Sequence, residues 1–455
     1  MESKSKKMRV MTEGSIGSTM LWFVLPLIGS SIFQQLYNTA DFFFVGNLLG
    51  KTSAAAVGAS STLITCTIGL FSGISLGTGV VISQAIGGKD FPKADRVLHS
   101  SLLFGLVGGI LLMAAGGYLA PAILRLLDTP EAVIPEAVLY MRIYFLSLPA
   151  SILYNMCSSA LRACGDSQTP FRILVICGFI NVFGDLLLLR VIPLGVAGVA
   201  IATIICQWLS LLLVIRCLRR EQSPVRLAFR KLCWDGELMR QVLWIGLPSG
   251  IQSIVITFSN VMVQYYINGF GEVAVAAFAT YYKVENFIYL PIMAFGQAST
   301  TFSGQNTGAR QFRRILRGTG TAAALGVAVT LVISSLMLAF PETVFGWFIK
   351  DAGVVADTIR IASVSFPFYW IYPIMEVTGG ALRGMGYSVS SMAIILANLC
   401  AVRVLLLAVF DHTVHTLPAL ASVYPITWAL AALCFVILFG AVMRKKCGER
   451  PAERP

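Results

Sequence analysis

Long apolar runs follow one another along almost the whole chain, and they constrain its fold more than any other feature. Twelve runs are predicted, at about 16–44, 53–82, 94–119, 135–158, 168–190, 196–218, 240–267, 275–302, 316–339, 354–380, 388–410 and 418–443. A helix of roughly 20 apolar residues crosses the hydrocarbon core of a bilayer. The sequence therefore predicts an all-α membrane protein with twelve transmembrane helices.

Composition excludes several other classes of protein. The 455 residues are only 12% charged, about half the share found in soluble proteins. The net charge of +12 would suggest nucleic-acid binding in a soluble protein, but the basic residues here lie between the apolar runs. The ten cysteines are scattered singly, which is typical of small apolar residues. We expect no enzyme, cofactor, metal site or nucleic-acid partner.

The distribution of basic residues predicts the orientation. If the N-terminus is inside, 26 of the 34 Lys and Arg residues fall in inside segments and six fall in or near outside segments. Such a bias marks the cytoplasmic side of a membrane protein. We expect a multi-pass protein of the cell (inner or plasma) membrane, monomeric and surrounded by lipid, with both termini in the cytoplasm.

The two halves of the chain repeat the same short motifs in the same order. LWFVLP at Leu21–Pro26 returns as LWIGLP at Leu243–Pro248, QAIGGKD from Gln84 as QNTGARQ from Gln305, and ALRACGDS from Ala160 as ALRGMGYS from Ala381. Six runs in each half give both halves one orientation, so a pseudo-two-fold axis along the membrane normal should relate them. We expect a six-helix bundle over 1–218, a cytoplasmic linker over 219–239, and a second bundle with a short tail over 240–455.

Polar residues form a stripe on the first apolar run. Gln34, Tyr37, Asn38 and Asp41 are spaced so that they share one face of a helix. A carboxylate at membrane depth is costly and persists where it faces protein or water, usually for a function. We predict that Asp41 handles protons or ions. The alternative is that it only caps or holds together neighbouring helices.

Other polar residues of the first half could line the same pocket as this stripe. They are Asn155, Asn181, Asp185 and Thr203. A carboxylate in such a pocket could bind and release a proton, and a set of oxygen ligands also suits a hard monovalent cation. For Asp185 the alternative is a carboxylate at a helix end beside Arg190.

These motifs resemble the multidrug and toxic compound extrusion (MATE) family over essentially the whole chain. The resemblance rests on the helix from Pro26 to Asp41, on ISQAIGGKD, and on LRACGDSQTPF followed by Asn181 and Asp185. It implies a V-shaped pair of six-helix bundles that exports compounds as protons or sodium ions move inward. It also implies a cation site of Tyr37, Asp41, Asn181, Asp185 and Thr203, with Asn155 a less close match. We add Asn38 to this set.

The second half differs from the first in its charged residues. Val263 replaces Asp41, and Ile256 stands where one branch of the family has a glutamate. Lys283, Glu285, Glu376 and Arg403 lie within apolar runs instead. They could neutralise one another as buried ion pairs, or contact substrate or form a gate. We assign the substrate cavity to Gln34, Asn260, Lys283, Glu285, Gln297, Tyr369, Glu376 and Arg403.

The sequence as a whole favours a cation-coupled antiporter, with protons favoured over sodium. It would export amphipathic, cationic organic compounds or drugs by alternating access. One alternative is a lipid-linked or polysaccharide flippase, or an exporter of one endogenous metabolite, from the same superfamily. Another is a channel or receptor-like protein without coupling, for which a titratable pair in only one of two repeats would be unusual.

Overall fold

The computed structural model describes residues 10–126, 129–219 and 225–448. The basic N-terminal segment before Val10, part of the predicted linker and the tail after Gly448 lie outside the described residues. Within the described ranges the chain is helical and forms no strand. The helices are α1 Ile16–Phe44, α2 Lys51–Gly87, α3 Phe91–Leu126, α4 Ile134–Phe145, α5 Leu148–Ala163, α6 Gln168–Leu186, α7 Val196–Leu218, α8 Gly236–Asn268, α9 Glu272–Gly308, α10 Phe312–Ala339, α11 Pro341–Gly346, α12 Ala352–Ser365, α13 Ile371–Gly384, α14 Ser388–Ile395, α15 Arg403–Thr413 and α16 Leu417–Gly448.

Short π-helical and 3₁₀ segments extend or join these helices. The π-helical segments are Val45–Leu49 after α1, Leu187–Val191 after α6 and Leu396–Val402 between α14 and α15. The 3₁₀ turns are Phe229–Lys231 and Phe366–Phe368. Gly50 before α2 and Gly271 before α9 have φ angles of 90° and 88°, a conformation that glycine adopts without strain. The same turn therefore recurs at corresponding places in the two halves.

The described helices account for the twelve predicted spans in order. Nine of them, counted with their π-helical extensions, are long and apolar enough to cross a membrane, and α4 with α5 makes a tenth across a 46° bend. The other two spans are more polar, since α9 carries Lys283 and Glu285 and α12–α13 carries Arg360 and Glu376. The prediction of an all-α, twelve-helix membrane protein is confirmed.

Two spans that were predicted to be continuous are broken. The span predicted at 135–158 consists of α4 and α5, and the one at 354–380 consists of α12 and α13. Pro149 lies in the first turn of α5, and Pro367 lies in the 3₁₀ turn before α13. Proline lacks the backbone N–H that would continue a helix, and it disfavours helical geometry in the residue before it.

The chain forms two compact units. The first contains 25–250 with Val10, and the second contains 11–24 and 251–448 of the described residues. The start of α1 thus belongs to the second unit, and the start of α8 to the first. In the first unit a buried apolar core joins α2, α3, α5 and α7 to the start of α8, with residues such as Val81, Met156 and Val214. In the second unit the core is rich in aromatic residues such as Phe278, Phe366 and Trp428.

Glycines let α2 and the start of α8 approach closely within the first unit. A Cβ atom added to Gly73 would lie 2.2 Å from the backbone N of Gly250, and one added to Gly77 would lie 2.4 Å from the carbonyl oxygen of Val242. Gly246 faces Gly73 and Ile74 at similarly short range. Each helix therefore presents a pair of glycines four residues apart, the spacing that allows helix backbones to pack in membranes.

Candidate functional site

Asp41 on α1 and Asp185 on α6 bring two carboxyl groups together inside the first unit. Asp185 is completely buried and Asp41 is half-buried. The two carboxyl groups lie within direct interaction range of each other. Neither oxygen of Asp185, nor Oδ1 of Asp41, accepts a hydrogen bond from any described residue. Ionised carboxylates have no hydrogen to donate, so a proton or a cation would provide the partner that both groups lack.

Three tyrosines surround this carboxylate pair. Tyr37 precedes Asp41 by about one turn of α1, and Tyr140 and Tyr144 come from α4, with ring centroids 5.9 Å apart. All three interact electrostatically with Asp41, and Tyr140 also does so with Asp185. Tyr140 and Tyr144 were not predicted from the sequence. Their spacing of four residues on one helix face, in a span that also carries Asn155, was the available signal.

Helices α6 and α7 complete the surroundings of the pair. Asn181 is buried about one turn before Asp185, and its Oδ1 has no hydrogen-bond partner among the described residues. On α7, Cys206 interacts with both carboxyl groups and lies about one turn beyond Thr203. The Thr203 hydroxyl donates to Val199 O at 3.0 Å. Thr203 therefore directs its hydrogen into its own helix.

Other predicted members of the first-half site lie in different surroundings. Asn155 donates from Nδ2 to Ser151 O of its own helix at 3.0 Å. Asn38 is exposed, and so is Gln34, which lies beside Tyr37. Among the predicted members of the first-half site, the buried oxygens without a hydrogen-bond donor belong to Asp41, Asn181 and Asp185.

The second unit holds a different cluster, centred on Glu285 of α9. The Tyr369 hydroxyl donates a hydrogen bond to Glu285 Oε1. Arg403 is buried and interacts electrostatically with Glu285. Its guanidinium lies 5.1 Å from the ring centroid of Tyr424 and 3.5 Å from Thr427 Oγ1, while its Nε finds no partner in the described structure. One acid and one base therefore share an aromatic environment without a direct salt bridge.

Aromatic rings form the walls of this cluster. The Trp428 ring lies 4.6 Å from Tyr369, 5.2 Å from Tyr372 and 5.8 Å from Tyr424, measured between centroids. The hydroxyls of Tyr282 and Tyr424 are 2.7 Å apart. Tyr369 is a member of the predicted cavity, whereas Tyr282, Tyr424 and Trp428 were not predicted. Trp428 and Tyr424 come from the last helix, whose sequence reads as an ordinary apolar span and gave no signal.

Glu376 has a different partner from those considered in the sequence. It forms a salt bridge with Arg383 at 2.5 Å, and both residues are buried in α13. Arg383 was counted among the basic residues of an inside segment; in the structure it lies in the last turn of α13, two turns after Glu376 and buried with it. Lys283 is exposed and has no ion pair within the described ranges. Asn260 and Gln297 are also exposed.

These features define a class of protein. A helical membrane protein whose two halves repeat and which holds a buried carboxylate pair fits the class of membrane transporters. A family model described as MatE matches residues 26–187 and again 248–409. The chain belongs to this family, and the double match confirms the internal repeat at the offset that aligns Pro26 with Pro248.

Curated relatives cover nearly the whole chain. The probable multidrug resistance protein YoeA of Bacillus subtilis is 27% identical over 442 residues, which is 95% of each chain. The probable multidrug resistance protein YpnP of the same organism is 29% identical over 403 residues, covering 88% of this chain and 89% of the relative. This protein is thus similar in length and sequence to multidrug transporters of its family.

Solved structures show the same fold. One is an outward-facing multidrug resistance MATE family transporter of the MOP superfamily, with a TM-score of 0.92, 21% identity and coverage of 98% of this chain and all of that chain. A MOP superfamily transporter from Pyrococcus furiosus, described by a reversed polarity of its binding pocket, gives a TM-score of 0.91 at the same identity and coverage. At this identity the likeness concerns the fold.

Proposed function

We propose that this MATE family multidrug efflux transporter is a cation-coupled antiporter that exports amphipathic, cationic organic compounds by alternating access. The observation that carries the proposal is the pair of adjacent carboxyl groups of Asp41 and Asp185, three of whose four oxygens accept no hydrogen bond from a described residue. An intramembrane carboxylate is costly and marks a path for protons or ions. The three tyrosines around it and Asn181 complete the proposed coupling site.

Protons are favoured over sodium as the coupling ion. One proton placed between two carboxyl oxygens provides the missing hydrogen bond without any further ligand. When that proton leaves, two like charges face each other in a low-dielectric environment, which favours a different arrangement of α1 and α6. Binding and release of the proton would thereby bias one conformation over another.

The Glu285 cluster is the proposed contact for substrate in the second unit. A carboxylate beside Tyr369, Tyr424 and Trp428 offers charge and aromatic faces to an organic cation. The names of the two Bacillus subtilis relatives, both probable multidrug resistance proteins, support export of drug-like compounds but do not specify their charge. We include Asn260, Lys283 and Gln297 of the second unit in the substrate contact because they are polar and exposed. The assignment of Gln34 stays a prediction from the sequence.

The proposed arrangement in the membrane follows from charge. We propose a monomer in the cell membrane with both termini and the linker between α7 and α8 in the cytoplasm, because the basic residues collect in those segments.

Cys233 is exposed in the linker and can serve as a probe of this orientation. In a variant whose other cysteines are replaced, an impermeant thiol reagent should label Cys233 only after intact cells are permeabilised. A variant carrying only His412→Cys should react in intact cells, and the opposite pattern would contradict the orientation.

The experiment that tests the coupling uses purified protein in sealed proteoliposomes. Uptake of a fluorescent organic cation is followed with a pH gradient or a sodium gradient imposed separately. We expect transport with the pH gradient alone and none in Asp41→Asn, which keeps the size of the side chain but cannot release a proton. Asp411→Asn, at a half-exposed carboxylate near the end of α15, is the matched control. Transport at the same rate with and without either gradient would contradict coupling.

A second candidate is export of one anionic metabolite. The observation that favours it is Arg403, which is buried near Glu285 and has an Nε without a partner among the described residues. A guanidinium with a free N–H is suited to a carboxylate or phosphate. Competition of organic anions, but not of organic cations, with the transported compound in the same assay would favour this candidate.

A further inference from the structure

The stretch 225–235 that precedes α8, which we call the linker segment, is fixed to the first unit. The Ser100 hydroxyl of α3 donates to Cys233 O at 2.9 Å and accepts from the Asp235 N–H at 3.1 Å. The Arg226 N–H donates to Asp95 Oδ1 at 3.2 Å. Val225 is completely buried. The linker segment therefore forms a defined surface beside the first turns of α3 and the last turn of α7.

An apolar cavity lies beneath this segment. The space between its walls, counted together with its opening to the outside, is about 360 Å³. Leu102 and Leu106 of α3, Leu153 and Cys157 of α5, and Leu211 of α7 line it. Leu227, Phe229 and Leu232 of the linker segment close it. Since the lining side chains offer no strong hydrogen-bonding group, a hydrocarbon chain suits this cavity better than water does.

The rim of the cavity is positively charged. The Arg219 guanidinium lies 5.7 Å from the ring centroid of Phe229, which itself lines the cavity. Arg230 follows Phe229 in the same 3₁₀ turn. Both arginines are exposed, and neither forms an ion pair with a described residue. Phe229 and Trp234 expose more than half of their surface, as aromatic residues do at a membrane–water boundary.

We propose that the cavity and its rim bind a phospholipid with an anionic headgroup. Part of one acyl chain would enter the space between α3, α5 and α7, and the phosphate would contact Arg219 and Arg230. Arginine binds phosphate through paired N–H groups, and basic residues next to membrane helices attract anionic lipids. A cavity that is apolar inside and basic only at its mouth matches the two ends of such a lipid.

The first experiment compares three lipids on the purified full chain in detergent, by native mass spectrometry. Dioleoyl phosphatidylglycerol carries both features that the site recognises, dioleoyl phosphatidylcholine lacks the net charge, and dihexanoyl phosphatidylglycerol lacks the long chains. We expect the first to bind about tenfold more tightly than either of the others. Equal binding of the two dioleoyl lipids would overturn the charge argument, and equal binding of the short lipid would overturn the cavity argument.

Variants assign the site to this place. Arg219→Gln combined with Arg230→Gln should remove the preference for phosphatidylglycerol. The matched control is Arg444→Gln combined with Lys445→Gln, which removes two exposed charges at the end of α16, and it should keep the preference. An unchanged preference in the first variant, or an equal loss in both, would contradict the assignment.

A cavity-filling variant tests where the acyl chain lies. Leu106→Trp should lower the affinity for dioleoyl phosphatidylglycerol by about tenfold because the larger side chain occupies the space. If this variant does not fold, wild-type protein can be labelled with phosphatidylglycerol that carries a photoreactive group in its acyl chain. Labels on α3, α5, α7 or the linker segment are expected. Labels spread over other helices alone would overturn the proposal.

Discussion

Glu376 and Arg383 form a salt bridge within α13, where Arg383 Nη2 lies 2.5 Å from Glu376 Oε1. Seven residues separate them, so both lie on the same face of the helix two turns apart. That face packs tightly on α9, since a Cβ atom added to Gly296 would lie 2.6 Å from Glu376 Cγ. The pair is therefore part of the packing of the second unit, and this role competes with the predicted contact between Glu376 and substrate.

The first prediction concerns the stability that depends on this pair. Glu376→Gln should lower the free energy of unfolding by about 3–5 kcal/mol, because it leaves the Arg383 charge buried without a counter-charge. Thermal unfolding in detergent measures the change. The double variant Glu376→Gln with Arg383→Gln should lose less than the sum of the two single variants. A Glu376→Gln protein of full stability with an altered substrate range would support the substrate contact instead.

The second prediction separates Glu285 from structural residues. Glu285→Gln keeps an acceptor for the Tyr369 hydroxyl but removes the negative charge from the aromatic cluster. We expect resistance to change about tenfold for some cationic compounds and much less for neutral ones. The lost negative charge affects the affinity for cations more than the affinity for neutral compounds. A resistance panel normalised to protein level measures this. Glu272→Gln, at an exposed position in the first turn of the same helix, should leave the panel unchanged. A uniform loss across the panel would argue against a selective contact.

The third prediction assigns coupling to the first unit. Asp185→Asn should reduce export of every compound together, because the amide carries no charge and proton release from Asp41 no longer places two like charges beside each other. Gradient-driven uptake into proteoliposomes, measured for several compounds, tests this. Exchange of labelled for unlabelled substrate without a gradient should persist and shows that the variant is folded. Loss of export for some compounds only would place Asp185 in substrate selection.

Much of the fold could be predicted because a chain can cross a bilayer in only a few kinds of backbone structure. Twelve runs of sufficient length predict twelve helices, and the repeat predicts two similar halves. The breaks in the fourth and tenth spans were signalled by Pro149 and Pro367, but prolines also occur inside α1, α8 and α9 without ending them. Whether a proline bends or ends a helix depends on which neighbours satisfy the freed backbone groups.

The sites were predictable where charge lies at membrane depth, and less so where partners come from distant helices. Asp41 and Asp185 were recognised because carboxylates are rare in such runs, and the structure places them together. Tyr140, Tyr144 and Trp428 were missed because aromatic residues occur throughout membrane helices. Arg383 was assigned to a loop because its motif ends a predicted span. The structure places it in the last turn of α13, a helix that approaches α9 closely at Gly380.

The last prediction concerns the glycines that join α2 to the start of α8. Gly73→Ala and Gly77→Ala should each destabilise the protein by about 1–3 kcal/mol, since the new Cβ atoms would overlap backbone atoms of Gly250 and Val242. Gly58→Ala lies on the same helix with nothing within 4 Å of the added Cβ. It should be neutral or slightly stabilising, because alanine favours helix more than glycine does. Unfolding midpoints in detergent distinguish the three variants. Equal midpoints for Gly58→Ala and Gly73→Ala would mean that the close approach of the two helices does not contribute to stability.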